Sequence, residues 1–249
     1  MALPTVEAFE RASLKAWPSL EEQWDGGWVR RAAGGYTKRA NSVQCFDPED
    51  GEDTDLRIIS ASSWMVIRKL KPVFRITPLS SPDLNETLDD AGWQSIDASH
   101  LLAMELGEHL PDAEAQCLAV LDPVFLAAQQ KLQGHGDNVM TAMTRVLAAF
   151  AVPATGVVLF RDGEAVSTSV MAVADGIVLT GNVVTDSTRR RQGLGVAMMH
   201  SGLAWARGKG ATVAALNVQA DNAAAQALYS AMGYAHQYDY DYRIPGGQP

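Results

Sequence analysis

The chain reads as an α/β protein of the α+β kind, with a twisted, mixed but mostly antiparallel sheet flanked by helices. Three observations predict this. Segments 154–161, 165–173 and 177–185 are apolar runs of strand length, separated by Asp162-Gly163 and Ala174-Asp175-Gly176, so they form an antiparallel series. After Gly195 the apolar period becomes helical, with Leu194, Met198, Ser201 and Trp205 on one face of a helix running to Gly208 or Gly210. Finally, the order strand–helix–strand–helix–glycine–aromatic–strand occurs twice, closing on Gly92-Trp93 and again on Gly233-Tyr234. This is an internal repeat of order rather than of residues.

The composition bounds the class. A chain of 249 residues with 47% hydrophobic and 20% charged residues can bury a sizeable core. A net charge of −9 argues against nucleic acid as a partner. Cys45 and Cys117 are too few for a disulfide scaffold or a zinc cage, and the five histidines show no ligand spacing, so no metal is expected. The first residues carry no basic-then-apolar leader, and Pro153 interrupts the longest apolar stretch. The expectation is a cytoplasmic protein with no membrane partner, its oligomeric state left open.

Taken in order, 5–23 has Val6, Phe9, Leu14, Trp17 and Leu20 near helical spacing and predicts one or two helices. Trp28 to Ala33 reads as a strand, Gly34-Gly35 as a hairpin turn, and 37–43 as the returning strand. The acidic stretch 47–55 lacks calcium-loop spacing, with Ile58 at the closing position, and reads as a solvated loop. Helices follow over 54–70 and 83–91, with strands over 72–77 and from Trp93 through Leu106. Segment 111–136 reads as a connecting region with a helix near 123–132, and another helix covers 137–150. A buried strand over 212–218 leads to an alanine-rich helix capped by Asp221 or Asn222, then to Tyr238-Asp239-Tyr240-Asp241-Tyr242, whose tyrosines share one face.

The most informative stretch is Val183-Val184-Thr185-Asp186-Ser187-Thr188-Arg189-Arg190-Arg191-Gln192-Gly193-Leu194-Gly195-Val196, a strand end, a basic glycine turn and a helix start. Glycines admit close approach of the backbone. First-turn amides lack intrahelical acceptors, and the helix dipole favours an anion there. Val196-Ala197 stands where a P-loop needs Lys-Ser or Lys-Thr, and Met198 stands where a dinucleotide fingerprint needs its third glycine. Solvated arginines capping a helix are the plainer alternative.

Arg190-Arg191-Gln192-Gly193-Leu194-Gly195 resembles the R/Q-x-x-G-x-G/A turn of the GNAT superfamily of N-acetyltransferases. Val218, Asn222, Ala225, Leu228, Tyr229, Gly233 and Tyr234 resemble the pattern that closes that superfamily's core. The motif-bearing likeness covers the C-terminal half. It implies a GNAT fold, acetyl-CoA as donor substrate, and an amine acceptor. Val183, Val184 and Thr185 would contact the donor from the strand. Arg190, Arg191, Gln192, Gly193, Leu194, Gly195 and Val196 would cradle its pyrophosphate. Asn222 would contact the pantetheine arm, and Tyr229 would sit beside the thioester sulfur as catalytic general acid. No glutamate stands on the central strand, so no base is assigned.

The implied organisation is an incomplete, degenerate GNAT-like unit over 1–110, a connecting region over 111–136, and a complete acetyl-CoA-binding domain over 137–249. The 28–43 segment resembles the N-terminal portion of bacterial acetyltransferases of this length. On that likeness Trp28, Tyr36, Lys38, Arg39 and Asn41 line an acceptor pocket between the halves; a packed hairpin is the alternative. A CoA-binding sensor without turnover, or a longer acyl donor, remains open at this point.

Overall fold

The computed structural model describes residues 2–247. Its elements, in chain order, are α1 (Val6–Ala16), β1 (Glu21–Asp25), β2 (Trp28–Ala32), β3 (Val43–Cys45), α2 (Thr54–Ile67), β4 (Phe74–Ile76), α3 (Pro82–Asp90) and β5 (Gln94–Glu105). There follow β6 (Ala115–Leu118), α4 (Pro123–Gln133), α5 (Asp137–Ala148), β7 (Ala154–Arg161), β8 (Glu164–Ala174), β9 (Ile177–Thr185), α6 (Leu194–Gly208), β10 (Val213–Gln219), α7 (Ala223–Ala231) and β11 (Ala235–Ile244). The expected meander is β7–β8–β9, antiparallel throughout.

Local chemistry sets the helix starts. Thr5 caps α1 by accepting from the Ala8 N–H, and Ser81 caps α3 by accepting from the Leu84 N–H, with Pro82 preset in the first turn. Asp122 and Pro123 open α4 in the same way.

All strands join one sheet of order β1-β2-β3-β4-β11-β5-β10-β9-β8-β7-β6. Around the central β11–β5 pair the order is mirrored. On one side β3 and β4 run parallel, with α2 between them in sequence; on the other β9 and β10 run parallel, with α6 between them. The last strands are exchanged. β5, from the first half of the chain, lies against β10, while β11, from the second half, lies against β4.

Several elements differ from expectation for local reasons. Leu20 to Gln23 is not helical: β1 pairs with β2 through the tight Asp25-Gly26-Gly27-Trp28 turn, so the hairpin glycines are Gly26-Gly27 rather than Gly34-Gly35. The expected return strand over 37–43 is a short 3-10 turn at Lys38–Ala40, and β2 pairs instead with Val43–Cys45. The acidic loop is not simply solvated. Asp50 accepts from the Gly27 N–H at 2.7 Å and from Arg57 at 2.6 Å, and the Arg57 guanidinium holds its carboxyl below the ordinary range. The connecting region carries β6, an edge strand paired with β7.

Apolar clusters fill both faces of the sheet. One joins α1, α2 and α3 to β4, β5 and β11; a second packs α6 and Tyr229 of α7 on β8–β10 and β5; a third sets α4 and α5 on β7 and β8. Inside the first lies a charged centre. Glu10 and Arg75, both 2% exposed, pair at 2.8 and 3.1 Å; the Tyr238 hydroxyl donates to Glu10 at 2.6 Å, and the Tyr240 ring lies 3.5 Å from the guanidinium carbon. Burial works against the Arg75 charge, but Glu10 and the neighbouring tyrosines outweigh it and hold its pKa above the ordinary arginine value. The tyrosines of β11 thus do share one buried face, while Asp239 is exposed.

Removing one partner of a buried ion pair strands the other charge away from water. Glu10→Ala should therefore cost about 3–5 kcal/mol in urea unfolding, and a loss below 1 kcal/mol would show the pair to be dispensable.

Candidate active site

The site begins where β9 and β10 stop pairing. Their parallel register runs from Ile177↔Val213 to Thr180↔Leu216. Beyond it β9 continues to Thr185 and β10 to Gln219 with no ladder between them. Each strand keeps its outer neighbour. Val184 and Thr185 lie opposite Thr168 and Ser167 of β8, and Asn217 lies opposite Leu101 of β5. A wedge therefore opens in the sheet, and one wall is the free edge of Gly181 to Thr185. Val183, Val184 and Thr185 are half-buried along it.

A bulge shapes this wall. Asn182 has φ +52, and the β8–β9 register slips between Thr168 and Val170. A left-handed residue that is not glycine suits asparagine's short polar side chain. The bulge is held on both sides: buried Gln129 of α4 donates to the Asn182 carbonyl at 3.0 Å, and the Asn182 amide donates to the Tyr36 hydroxyl at 2.8 Å. Gln129 falls inside the stretch read from sequence as a connector, and no pattern of period or motif marks it.

From Thr185 the chain turns into α6. Asp186 accepts from the Thr188 N–H and hydroxyl, both at 2.8 Å, which ties down the turn and keeps its carboxyl below the ordinary range. Arg191 and Gly193 have φ +61 and +74. Among the described residues, the main-chain N–H groups from Arg190 to Val196 find no acceptor, and Arg190 and Arg191 carry no ion pair; Arg189 reaches Asp162 at 3.4 Å. Alternating backbone of this kind followed by a helix start makes a concave row of donors. Open space lies where a Gly193 side chain would stand, whereas a Cβ on Gly195 would come within 3.2 Å of the Thr185 hydroxyl. Leu194 is buried in the core; Val196 is half-buried; Gln192 is exposed.

Across the wedge, Asn222 caps α7 by accepting from the Ala225 N–H at 3.1 Å, and its side chain is exposed. Tyr229 is 6% exposed, packed 5.8 Å from the Tyr234 ring, and its hydroxyl has no protein partner among the described residues. Burial alone pushes this phenol up to about 12. The side chain is thus protonated across the neutral range.

The first half contributes unevenly. Trp28 is fully buried against Phe74 and under Arg57, and Asn41 is buried, bonding the backbone of residues 33–37. Trp28 is part of the apolar core, and the Asn41 amide is taken up by main-chain groups of Ala33, Gly35, Tyr36 and Thr37. Tyr36, Lys38 and Arg39 do reach the second half. Tyr36 does so through Asn182; Lys38, paired with Asp97 of β5 at 2.6 Å, lies 6.0 Å from the Tyr242 ring, and Arg39 lies against Gly181 with its guanidinium 4.9 Å from the Trp17 ring. Asn217, at the mouth of the wedge, has both side-chain amide atoms buried without a partner. Its significance is invisible in sequence, because it depends on where β9 leaves β10. Farther along the sheet, the β5–β11 pairing brings together two histidines far apart in sequence. His100 and His236 both contact Asp239 Oδ1 at 2.6 Å, and the three donor atoms lie within 4.8 Å of one another.

A parallel pair that splays beside a bulged strand and a donor-rich turn, within a large mixed sheet flanked by helices, defines the GNAT fold of acyltransferases. Comparison with known proteins agrees. The family model described as "Probable histone acetyltransferase Rv0428c C-terminal" matches residues 5–243, and the chain belongs to that family of GNAT-type acetyltransferases. It is 23% identical over 245 residues to the uncharacterized N-acetyltransferase YobR of Bacillus subtilis, spanning 96% of this chain and 98% of that one. A 67-residue stretch is 36% identical to the probable histone acetyltransferase Rv0428c of Mycobacterium tuberculosis, covering 27% of this chain and 21% of that protein. Among solved structures, a GCN5-related N-acetyltransferase from Kribbella flavida superposes with a TM-score of 0.75 at 21% identity, covering 99% of this chain and 98% of its own.

The bulge makes a measurable demand on residue 182. Asn182→Val, which places a branched side chain at positive φ, should be less stable than Asn182→Gly by about 1 kcal/mol in chemical unfolding. Equal stabilities would mean that the left-handed backbone imposes no constraint there.

Proposed function

We propose that the chain transfers an acetyl group from acetyl-CoA to a primary amine by direct attack of the amine nitrogen on the thioester. The observation that carries this reading is the row of unpartnered main-chain N–H groups from Arg190 to Val196, placed at the exit of the strand whose free edge lines the wedge. Together with the unpaired Arg190 and Arg191 side chains, these donors suit a pyrophosphate.

On this reading the donor's arm runs along Val183, Val184 and Thr185, taking the strand hydrogen bonds that β10 does not supply, with Asn222 on the far side. Edge amides near the bulge polarise the thioester carbonyl. As the new C–N bond forms, the C–S bond breaks; the nitrogen loses a proton and the sulfur gains one. Tyr229, protonated and desolvated, is assigned the proton for sulfur. No side chain is assigned as base: β9 offers Thr180 and Asn182, and the Asp186 carboxylate is engaged by Thr188.

Residues 1–110 fit the role of a degenerate unit. The mirrored strand order supports the kinship. Between β3 and α2, where the glycine turn would stand, the loop carries Asp47, Glu49, Asp50, Glu52 and Asp53, which repel a phosphate. Residues 137–249 then form the donor-binding domain. The 111–136 connector is more than a tether, since α4 supports the bulge.

Acetyl-CoA or CoA at about 100 times its dissociation constant should stabilise the wild type by about 2.7 kcal/mol, and Gly193→Glu should erase the thermal shift. Absence of any shift with wild type would sink the donor assignment. Tyr229→Phe should lower kcat by roughly 100-fold or more and leave KM for acetyl-CoA in place. Because burial pushes the phenol up to about 12, kcat should show no alkaline limb from Tyr229 below that region. Donor binding without acetylation of any amine would instead identify a CoA-binding sensor.

A further inference from the structure

The acceptor side of the wedge holds a cation that the protein leaves uncompensated. The neighbouring basic side chains of the first half are paired: Arg30 with Asp25, Arg31 with Glu22, Lys38 with Asp97, Arg57 with Asp50, and Arg75 with Glu10. Arg39 is the exception. Among the described residues its guanidinium has no carboxylate and no hydrogen-bond acceptor; its neighbours are the face of Trp17 and the phenols of Tyr36 and Tyr242. In a chain of net charge −9 an unpaired, half-buried guanidinium calls for an explanation.

Its position supplies one. Arg39 Nη2 lies 3.2 Å from where a Gly181 Cβ would stand, so the guanidinium presses on the first residue of β9 that β10 leaves unpaired. On the α1 side it borders a cavity of about 20 Å³, room for about one water. On the other side it lines an open pocket of about 220 Å³ at the mouth of the wedge, with Asn217, Ser99, Tyr240 and the Lys38–Asp97 pair. Asn217 adds an amide whose donors and acceptor are both unspent. A planar cation beside a free carboxamide matches a carboxylate: two parallel N–H donors from Arg39 and a third from Asn217.

We infer that the acceptor is a small amino acid, its carboxylate held by Arg39 and Asn217 and its amine presented to the wedge. The inference rests on the acetyl-transfer reading for the amine and on Arg39 itself for the carboxylate. Because Arg39 touches the start of the free β9 edge, only a few bonds can separate the two groups. Glycine, β-alanine and γ-aminobutyrate span the range, and the pocket's volume suits molecules of that size. The Lys38–Asp97 pair at the rim leaves Arg39 as the unshared cation.

The test uses the full chain in two arms. In the first, isothermal titration with γ-aminobutyrate and with n-butylamine, each with and without CoA, measures acceptor binding independently of turnover. The acid should bind at least tenfold more tightly than the amine. Arg39→Gln should remove that preference by weakening the acid roughly ten- to hundredfold, and Arg39→Lys should restore part of it. In the second arm, kcat/KM is measured for the same pair and for glycine against glycinamide. Arg39→Gln should raise KM for the acids only, with the acetyl-CoA thermal shift unchanged. Equal binding of acid and amine to wild type overturns the inference, as does an Arg39→Gln variant that loses both alike while remaining folded and donor-competent. Carboxylate-dependent binding without acetylation would leave the Arg39 site standing and remove the transfer reading.

Discussion

Everything in this molecule depends on β5 and β11 lying side by side at the middle of one sheet. Their antiparallel pairing joins residues 94–103 to residues 235–244, and each strand then supplies the outer neighbour that the other half of the chain needs. β10 receives β5 on one edge and needs β9 only from Val213 to Leu216. It can part from β9 beyond that point without leaving its own second edge bare. The pairing with β5 thus permits the wedge: a strand secured on one side can be open on the other.

The two faces of the sheet then divide the chemistry. On one, α6 and α7 bring the glycine turn and Tyr229 to the wedge. On the other, the first half delivers Tyr36, Lys38 and Arg39 to the same opening. Buried charges in this layer are matched almost one for one. That matching makes a single unmatched guanidinium informative, in a way that an unpaired surface arginine is not.

Features governed by local period and turn chemistry were legible in the sequence. The β7–β8–β9 meander follows from apolar runs and Asp-Gly or Asp-containing turns, and α6 from Leu194, Met198 and Ser201, all buried as expected. The repeat of element order was also visible. What the sequence did not reveal was which strand neighbours which, since exchange of β5 and β11 alters no local pattern. The first hairpin was misplaced because two glycine pairs, Gly26-Gly27 and Gly34-Gly35, compete, and only the β2 register decides between them. In the candidate site, the turn of unpartnered main-chain N–H groups before α6 is marked in the sequence by its glycines and arginines. Gln129 and Asn217 are not, because each is an ordinary amide whose meaning comes from a neighbour more than 30 residues away.

The exchanged strands also govern how the chain must be made. A nascent chain that has emerged only through Glu105 exposes β4 and β5, both destined to flank a strand not yet synthesised. Their open ladder edges persist until residues 235–244 arrive, after residues 106–234 have been made. Closure is by insertion between two waiting edges rather than by addition at a rim. The first half therefore has no finished sheet of its own, and the strand that completes it is also the one that completes the second half.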